Sequence, residues 1–253
     1  MVERVEGLAC NMDGTSMNDL GLITKDYDSS EISINLGAGS TPYRSIVPAK
    51  LISTGSPTVC RNDLALALLA ESVDGVPIMP LRLLHPTKVG EQVTVVGFGQ
   101  TETSAALGIR RKREGVDVLR VGPNRFDEQG GQAVRGTFVV SQGPCSGDSG
   151  GPAIAEATGA VAGVYSIMST EDCTSPTATG VYVQLAEYYE LILDAFTSAG
   201  QKPWFEGEDA PTEKEKAQGC AIQAARRTGG DVSFLVVGGV FLVGLWRRLV
   251  ANR

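Results

Sequence analysis

Histidine is nearly absent from this chain: 253 residues contain one, His85. With a single imidazole and no Cys-x-x-Cys pair, the usual ligand spacings for zinc do not occur, so no metal site is expected. A clustered basic face is missing too, and the formal charge is −7. That argues against nucleic acid as a partner, because phosphate binding needs counter-charges gathered in a patch or stripe. The one basic run, Arg110-Arg111-Lys112-Arg113, is followed by Glu114 and reads as a solvated loop. Aromatic residues are only 6% of the chain, no internal repeat is visible, and the first seven residues lack the apolar core of a secretory signal.

What is plentiful is glycine, with 31 Gly and 12 Pro beside 42% apolar residues, a balance suited to many short strands joined by turns. Strand-like runs recur at 31–36, 45–52, 63–69, 92–98, 116–121, 135–141, 160–167 and 180–185, a spacing that predicts an all-β sandwich or barrel. From Leu185 the period becomes helical through Tyr188, Tyr189, Leu191, Ile192, Ala195 and Phe196, and ends near Gly200. The globular domain is therefore expected over 1–200. An acidic, polar linker follows over 201–230 and a hydrophobic tail helix over 231–253. The apolar run from Val232 to Trp246 would span roughly 22 Å as a helix, short of a ~30 Å hydrocarbon core, yet it has no domain to pack against. It reads as a membrane anchor with Arg247 and Arg248 at its end. The arginines on its two sides balance, so they give no orientation.

Five cysteines, Cys10, Cys60, Cys145, Cys173 and Cys220, allow two bridges and one single thiol. Bridges require an oxidising compartment and hence export, which conflicts with the absent signal.

The segment that carries chemistry is Gly147-Asp148-Ser149-Gly150-Gly151-Pro152. A serine hydroxyl becomes a useful nucleophile only when exposed beside a base, and small neighbours let a scissile carbonyl approach the backbone. The N–H groups of Gly147 and Ser149 can then converge on a developing oxyanion. Asn62-Asp63-Leu64-Ala65-Leu66 sets a carboxylate at the head of an apolar run, where it would be desolvated unless it met a donor. Turn formation is one use for such an aspartate, and orienting a catalytic imidazole is another.

Together these segments resemble the chymotrypsin/trypsin serine proteases, peptidase family S1, from about residue 30 to 199. Val95-Val96-Gly97-Phe98-Gly99 is similar to the family's Gly-Trp-Gly strand, with Phe98 for the tryptophan. Gly163-Val164-Tyr165-Ser166 resembles the substrate-binding strand, and Gly180-Val181-Tyr182 the strand behind the specificity pocket. The resemblance implies a two-barrel fold with its first barrel incomplete and a closing helix. It implies Ser149 as nucleophile, Asp63 as orienting carboxylate with Ser166 near it, and Asp148 as receiver of an activating ammonium. It places Gly143, Ser166, Met168 and Gly180 around the substrate. It also pairs Cys145 with Cys173 across the pocket, and Cys10 with Cys60 in the first barrel. The expected partner is a protein or peptide substrate met by a monomer. No cofactor is implied, and calcium stays open. With Gly143 where the trypsin-like members carry an aspartate, small or medium apolar side chains are expected at the cleaved residue.

One family element is missing. No histidine precedes Asp63. His85, in Leu83-Leu84-His85-Pro86-Thr87, falls on the family's inter-barrel loop and reads as a surface residue. Leu8-Ala9-Cys10 offers a second possibility, the family's Ala-His-Cys segment with Ala9 for histidine, which would make a catalytically inactive binding module. The expectation that unites the missing signal, strands and histidine is that all lie upstream of Met1. The tail, with Gly219-Cys220, Gly229-Gly230, a short apolar run and terminal arginines, resembles myxobacterial surface-sorting tails. It points to the cell envelope, or to secretion after processing. A structural surface protein is the third class, and the intact Ser149 segment speaks against it.

Overall fold

Short apolar runs between glycines and prolines become strands when each finds an edge to pair with, since buried N–H and C=O groups need partners. The computed structural model describes residues 3–5, 15–18, 21–37, 42–60, 62–71, 73, 76–101, 108–122, 136–168, 172–212 and 240–243. The N-terminal half holds β1 (Glu3–Val5), β2 (Ile23–Asp26), β3 (Ile34–Leu36), β4 (Arg44–Ile46), β5 (Pro48–Ser53) and β6 (Ala65–Leu69). The C-terminal half holds β7 (Gln92–Gly97), β8 (Arg111–Val121), β9 (Thr137–Val140), β10 (Pro152–Ala155), β11 (Val161–Met168) and β12 (Gly180–Gln184). Then come the helix α1 (Tyr189–Ser198) and a last strand, β13 (Val240–Val243).

The six strands of the second half close into an antiparallel barrel in the order β10-β11-β12-β9-β8-β7. Its interior is filled by Val93, Val95, Val116, Val118, Phe138, Val140, Ala153, Tyr165 and Tyr182. The Phe138 and Tyr182 rings stack with centroids 5.4 Å apart. A second core lies outside the barrel, where Leu64, Leu66 and Leu68 meet Val161, Val164, Val183, Ile192 and Ala195. It joins β6 and α1 to the barrel wall, which explains why all five residues of β6 are buried. The remaining sheets, β1-β2, β3-β4 and β13-β6-β5, do not close into a barrel among the described residues.

Several boundaries differ from the sequence reading. The run at 45–52 is two strands in different sheets, because Pro48 lacks an N–H and a register shift follows it. Glu31 belongs to a 3-10 turn capped by Asp28, whose carboxylate accepts from Ser30 N at 2.9 Å. β10 went unread because its first residue is the proline that ends the Gly-rich segment. The basic run is not a loop: Arg111, Lys112 and Arg113 lie on β8, and Gly97, Val96 and Val95 face them across the ladder.

Residues past the boundary expected at 200 touch the domain. Residues 202–209 dock on the domain, with Leu81 N donating to Trp204 O at 2.8 Å and Glu206 N to Leu81 O at 3.0 Å. Phe205 packs on the outer core, and Glu206 takes a bidentate grip from the buried Arg82, Nε at 2.8 Å and Nη2 at 2.6 Å. An acidic composition had suggested a solvated linker, but one buried guanidinium is enough to recruit it. Four residues of the expected tail helix form β13 instead, antiparallel to β6. A strand buried along its whole length needs both edges paired, and the β-branched Val240 and Val243 suit that state. Among the described residues no helix is long and apolar enough to cross a membrane. The rest of the tail, with Cys220, lies outside them.

Candidate active site

Ser149 sits in the turn that leads into β10, and the turn takes its shape from glycine. Gly147 and Gly150 have φ of 93° and 88°, the left-handed region that a side chain disfavours. Gly151 N closes the turn by donating to Asp148 O at 2.8 Å. Two further bonds fasten it to β11: Gly150 N donates to Tyr165 O, and Tyr165 N to Gly151 O, each at 2.9 Å.

The next residue of β11, Ser166, reaches Asp63. Its hydroxyl donates to Oδ2 at 2.6 Å. Asp63 precedes β6 and is buried at 7% exposure. Burial pushes its carboxyl up to about 6, against the pull of the Ser166 hydrogen bond in the other direction. One strand therefore carries both halves of the site, clasping the Ser149 turn through Tyr165 and the Asp63 carboxylate through Ser166.

The turn is braced from the far side by Asp148. Its Oδ1 accepts from Gly99 N at 2.6 Å and its Oδ2 from Cys145 N at 2.8 Å. Gln100 N adds a 2.9 Å bond to Ser146 O. The spacing of Gly97-Phe98-Gly99 now has a cause. A Cβ at Gly97 would collide with the Asp148 carboxylate, and one at Gly99 would lie 2.6 Å from Ser146 O. Burial raises the Asp148 carboxyl, while its two N–H donors and the nearby Arg111 charge oppose the rise. A cavity of about 260 Å³ opens beside this brace, with Gly97, Gly99, Arg111, Pro144, Asp148 and Tyr182 on its walls.

Two of the residues expected around the substrate are neighbours on adjacent strands. Met168 and Gly180 face each other across the β11-β12 ladder. A side chain at Gly180 would run into the Pro144 ring, which occupies the space beside it. The direction a side chain would take at Gly143 points at Val116, 3.1 Å away, and Val95, 3.4 Å away, which is apolar core. Cys145 and Cys173 are bonded, with Cα atoms 5.3 Å apart. Cys60 is disulfide-bonded as well. Cys10 and Ala9 lie outside the described residues.

His85 is exposed on the connection between β6 and β7, and Glu206 is the carboxylate that feels its charge. The sequence reading gave Gly99, Pro144 and Arg111 no role at the site. The paired glycines were the one signal pointing to a close approach, and nothing in the sequence said that Asp148 makes it.

The sequence model of the trypsin family matches residues 29–192. Among curated proteins, the chain is 35% identical over 107 residues to the CLIP domain-containing serine protease B4 of Anopheles gambiae, which covers 39% of this chain and 29% of that protein. It is 30% identical over 143 residues to phenoloxidase-activating factor 1 of Holotrichia diomphalia, covering 52% and 39%. To complement factor I of Rattus norvegicus it is 28% identical over 145 residues, covering 52% and 24%. The chain thus spans less than half the length of these relatives. Among solved structures it is similar to neuropsin, a serine protease of mouse brain. That match has 24% identity and a TM-score of 0.49, covering 64% of this chain and 78% of the other.

Proposed function

This chain belongs to the trypsin family, and from that membership we propose that it is a serine endopeptidase in which Ser149 attacks the peptide carbonyl. The observation that carries the reading is the double attachment of β11, to the Ser149 turn by two backbone bonds and to Asp63 by the Ser166 hydroxyl. As Ser149 Oγ bonds to the carbonyl carbon, its proton passes to an imidazole held by Asp63. The carbonyl oxygen gathers negative charge, and the N–H groups of Gly147 and Ser149 receive it. Collapse expels the amine with that proton and leaves an acyl-enzyme, which water hydrolyses by the same steps.

His85, the one histidine of this sequence, is exposed and acts on the Glu206 carboxylate, so it is not the imidazole assigned to that step. The substrate is a protein or peptide with a small or medium apolar residue at the cleaved bond, since Gly143 brings no charge and the Pro144 ring lies against Gly180. The Cys145–Cys173 bridge suits an exported protein in an oxidising compartment.

The test is labelling by a fluorophosphonate of the chain extended by its upstream reading frame. Labelling abolished by Ser149→Ala supports the reading. An in-frame stop before Met1, with an unlabelled protein, leaves the inactive binding module as the function.

A further inference from the structure

Arg111 stands directly opposite Gly97 in the β7-β8 ladder, half-buried and on the wall of the cavity beside the Ser149 turn. Its Nη1 donates to Gly99 O at 2.9 Å, and the N–H of the same glycine donates to Asp148 Oδ1 at 2.6 Å. Gly99 is thus held through its carbonyl by a guanidinium and through its N–H by a carboxylate. The guanidinium is close enough for its charge to favour the ionised Asp148. Gly97 and Gly99 lack the Cβ atoms that would fill the space the Asp148 carboxylate occupies.

We propose that Arg111 is a positioning residue for the nucleophile turn, clamping the Gly99 peptide and the Asp148 carboxylate together and so fixing the Gly147 and Ser149 N–H groups. The inference deepens the serine-protease reading and rests on it for what the turn does. The route is short. Asp148 lies between Gly147 and Ser149, and its carboxylate takes two N–H donors, one from Gly99 and one from Cys145. A buried carboxylate that loses its cation tends to protonate, and a protonated Asp148 is a poorer acceptor for both. The other titratable groups that feel this carboxylate are Tyr165 and Tyr182, whose hydroxyls burial keeps neutral and which supply no charge. Arginine suits the place because it keeps its charge when half-buried and can bond a carbonyl with one N–H while its charge faces a carboxylate.

The experiment needs no catalysis. In the full chain, the Asp148 carboxyl is titrated by carbon-13 NMR, and exchange of the 147 and 149 amides is followed beside it. Arg111→Ala is expected to raise the Asp148 midpoint and to speed exchange at both amides by about tenfold, as loss of one charge-assisted hydrogen bond would. Arg111→Lys restores the midpoint, because it restores the charge. Should the alanine variant fail to fold, Arg111→Gln keeps a donor for Gly99 O without charge and still raises the midpoint. Arg110→Ala, on the exposed neighbour, moves neither. An Asp148 midpoint and amide exchange unchanged in Arg111→Ala or Arg111→Gln would overturn the proposal, as would an equal shift in Arg110→Ala. Failure of fluorophosphonate labelling with the NMR shifts intact would instead remove the protease reading and leave the clamp standing.

Discussion

Ser166 Oγ and Asp63 Oδ2 stand 2.6 Å apart, joined by a hydrogen bond between residues 103 positions apart in the chain. The bond ties the head of β6 to β11 where β11 also holds the Ser149 turn, so the two halves of the molecule meet at the site.

That buried carboxyl gives the first prediction. Its value of about 6 lies above the ordinary 3.8, so the protonated form is favoured by folding. The stabilisation is complete below the unfolded value and is lost as pH rises through about 6. Urea unfolding between pH 4 and pH 7 should show a fall of at most roughly 3 kcal/mol that Asp63→Asn removes. An imidazolium brought against Asp63 would favour the ionised form and reverse the slope. A flat profile in the unsubstituted chain would show that burial does not dominate at Asp63.

Removing the hydroxyl partner tests the same link from the other side. Ser166→Ala takes away the hydrogen bond that pulls the Asp63 carboxyl down, so its titration midpoint should rise further. Stability at neutral pH should fall by about 1.5–3 kcal/mol, the range for a bond to a charged group. NMR titration of Asp63 and chemical unfolding read the two effects separately.

The glycine pair at 97 and 99 should not tolerate a methyl group. Alanine at either position must displace the Asp148 carboxylate or the Ser146 carbonyl, at a cost of about 1–3 kcal/mol or more, and Ser149 labelling in the extended protein should be lost. Gly55→Ala serves as the contrast. Nothing lies within 4 Å of a Cβ there, and only its φ of 68° opposes the change, so the loss should be about 1–2 kcal/mol with labelling intact.

Residues 202–209 should prove part of the folded unit. Glu206→Ala leaves Arg82, at 6% exposure, with Glu91 as its remaining carboxylate, a loss of about 3 kcal/mol in thermal or urea unfolding. A chain ending at 200 should lose more than one ending at 212, because it also gives up Phe205 and two backbone bonds to Leu81. Equal stability of the two would return the boundary to 200.

Specificity should follow the Pro144 ring. Profiling the extended protein on peptides varied at the cleaved residue should show Ala, Val, Leu or Met ahead of aromatic residues, with Arg and Lys poorest. Pro144→Gly should shift the preference toward larger side chains by about tenfold, the scale of one or two buried methylenes. A dominant Arg or Lys preference would mean that the pocket is built from other residues.

The legible parts of the fold are those that short-range chemistry encodes. Glycines about Ser149 shape its turn, apolar runs give β7, β9, β11, β12 and the second half of β8, and the helical period from Leu185 gives α1. Each rests on residues a few positions apart, so composition and period are enough. Segments of ambiguous local character take their form from contacts far away in the chain. Residues 202–209 are acidic and polar, and they fold back because Arg82, more than 100 positions earlier, is buried and needs carboxylates. The basic run at 110–113 would be a loop alone, but three of its residues extend β8 because β7 offers an edge. Val240–Val243 would suit a helix, and pairs instead where β6 has an open ladder. The reason Gly97 must be glycine is likewise out of sequence reach, since it is Asp148, brought there by closure of the barrel, that fills its missing Cβ. A buried charge or an unpaired edge must find its complement wherever the chain supplies one, and only the closed fold says where that is.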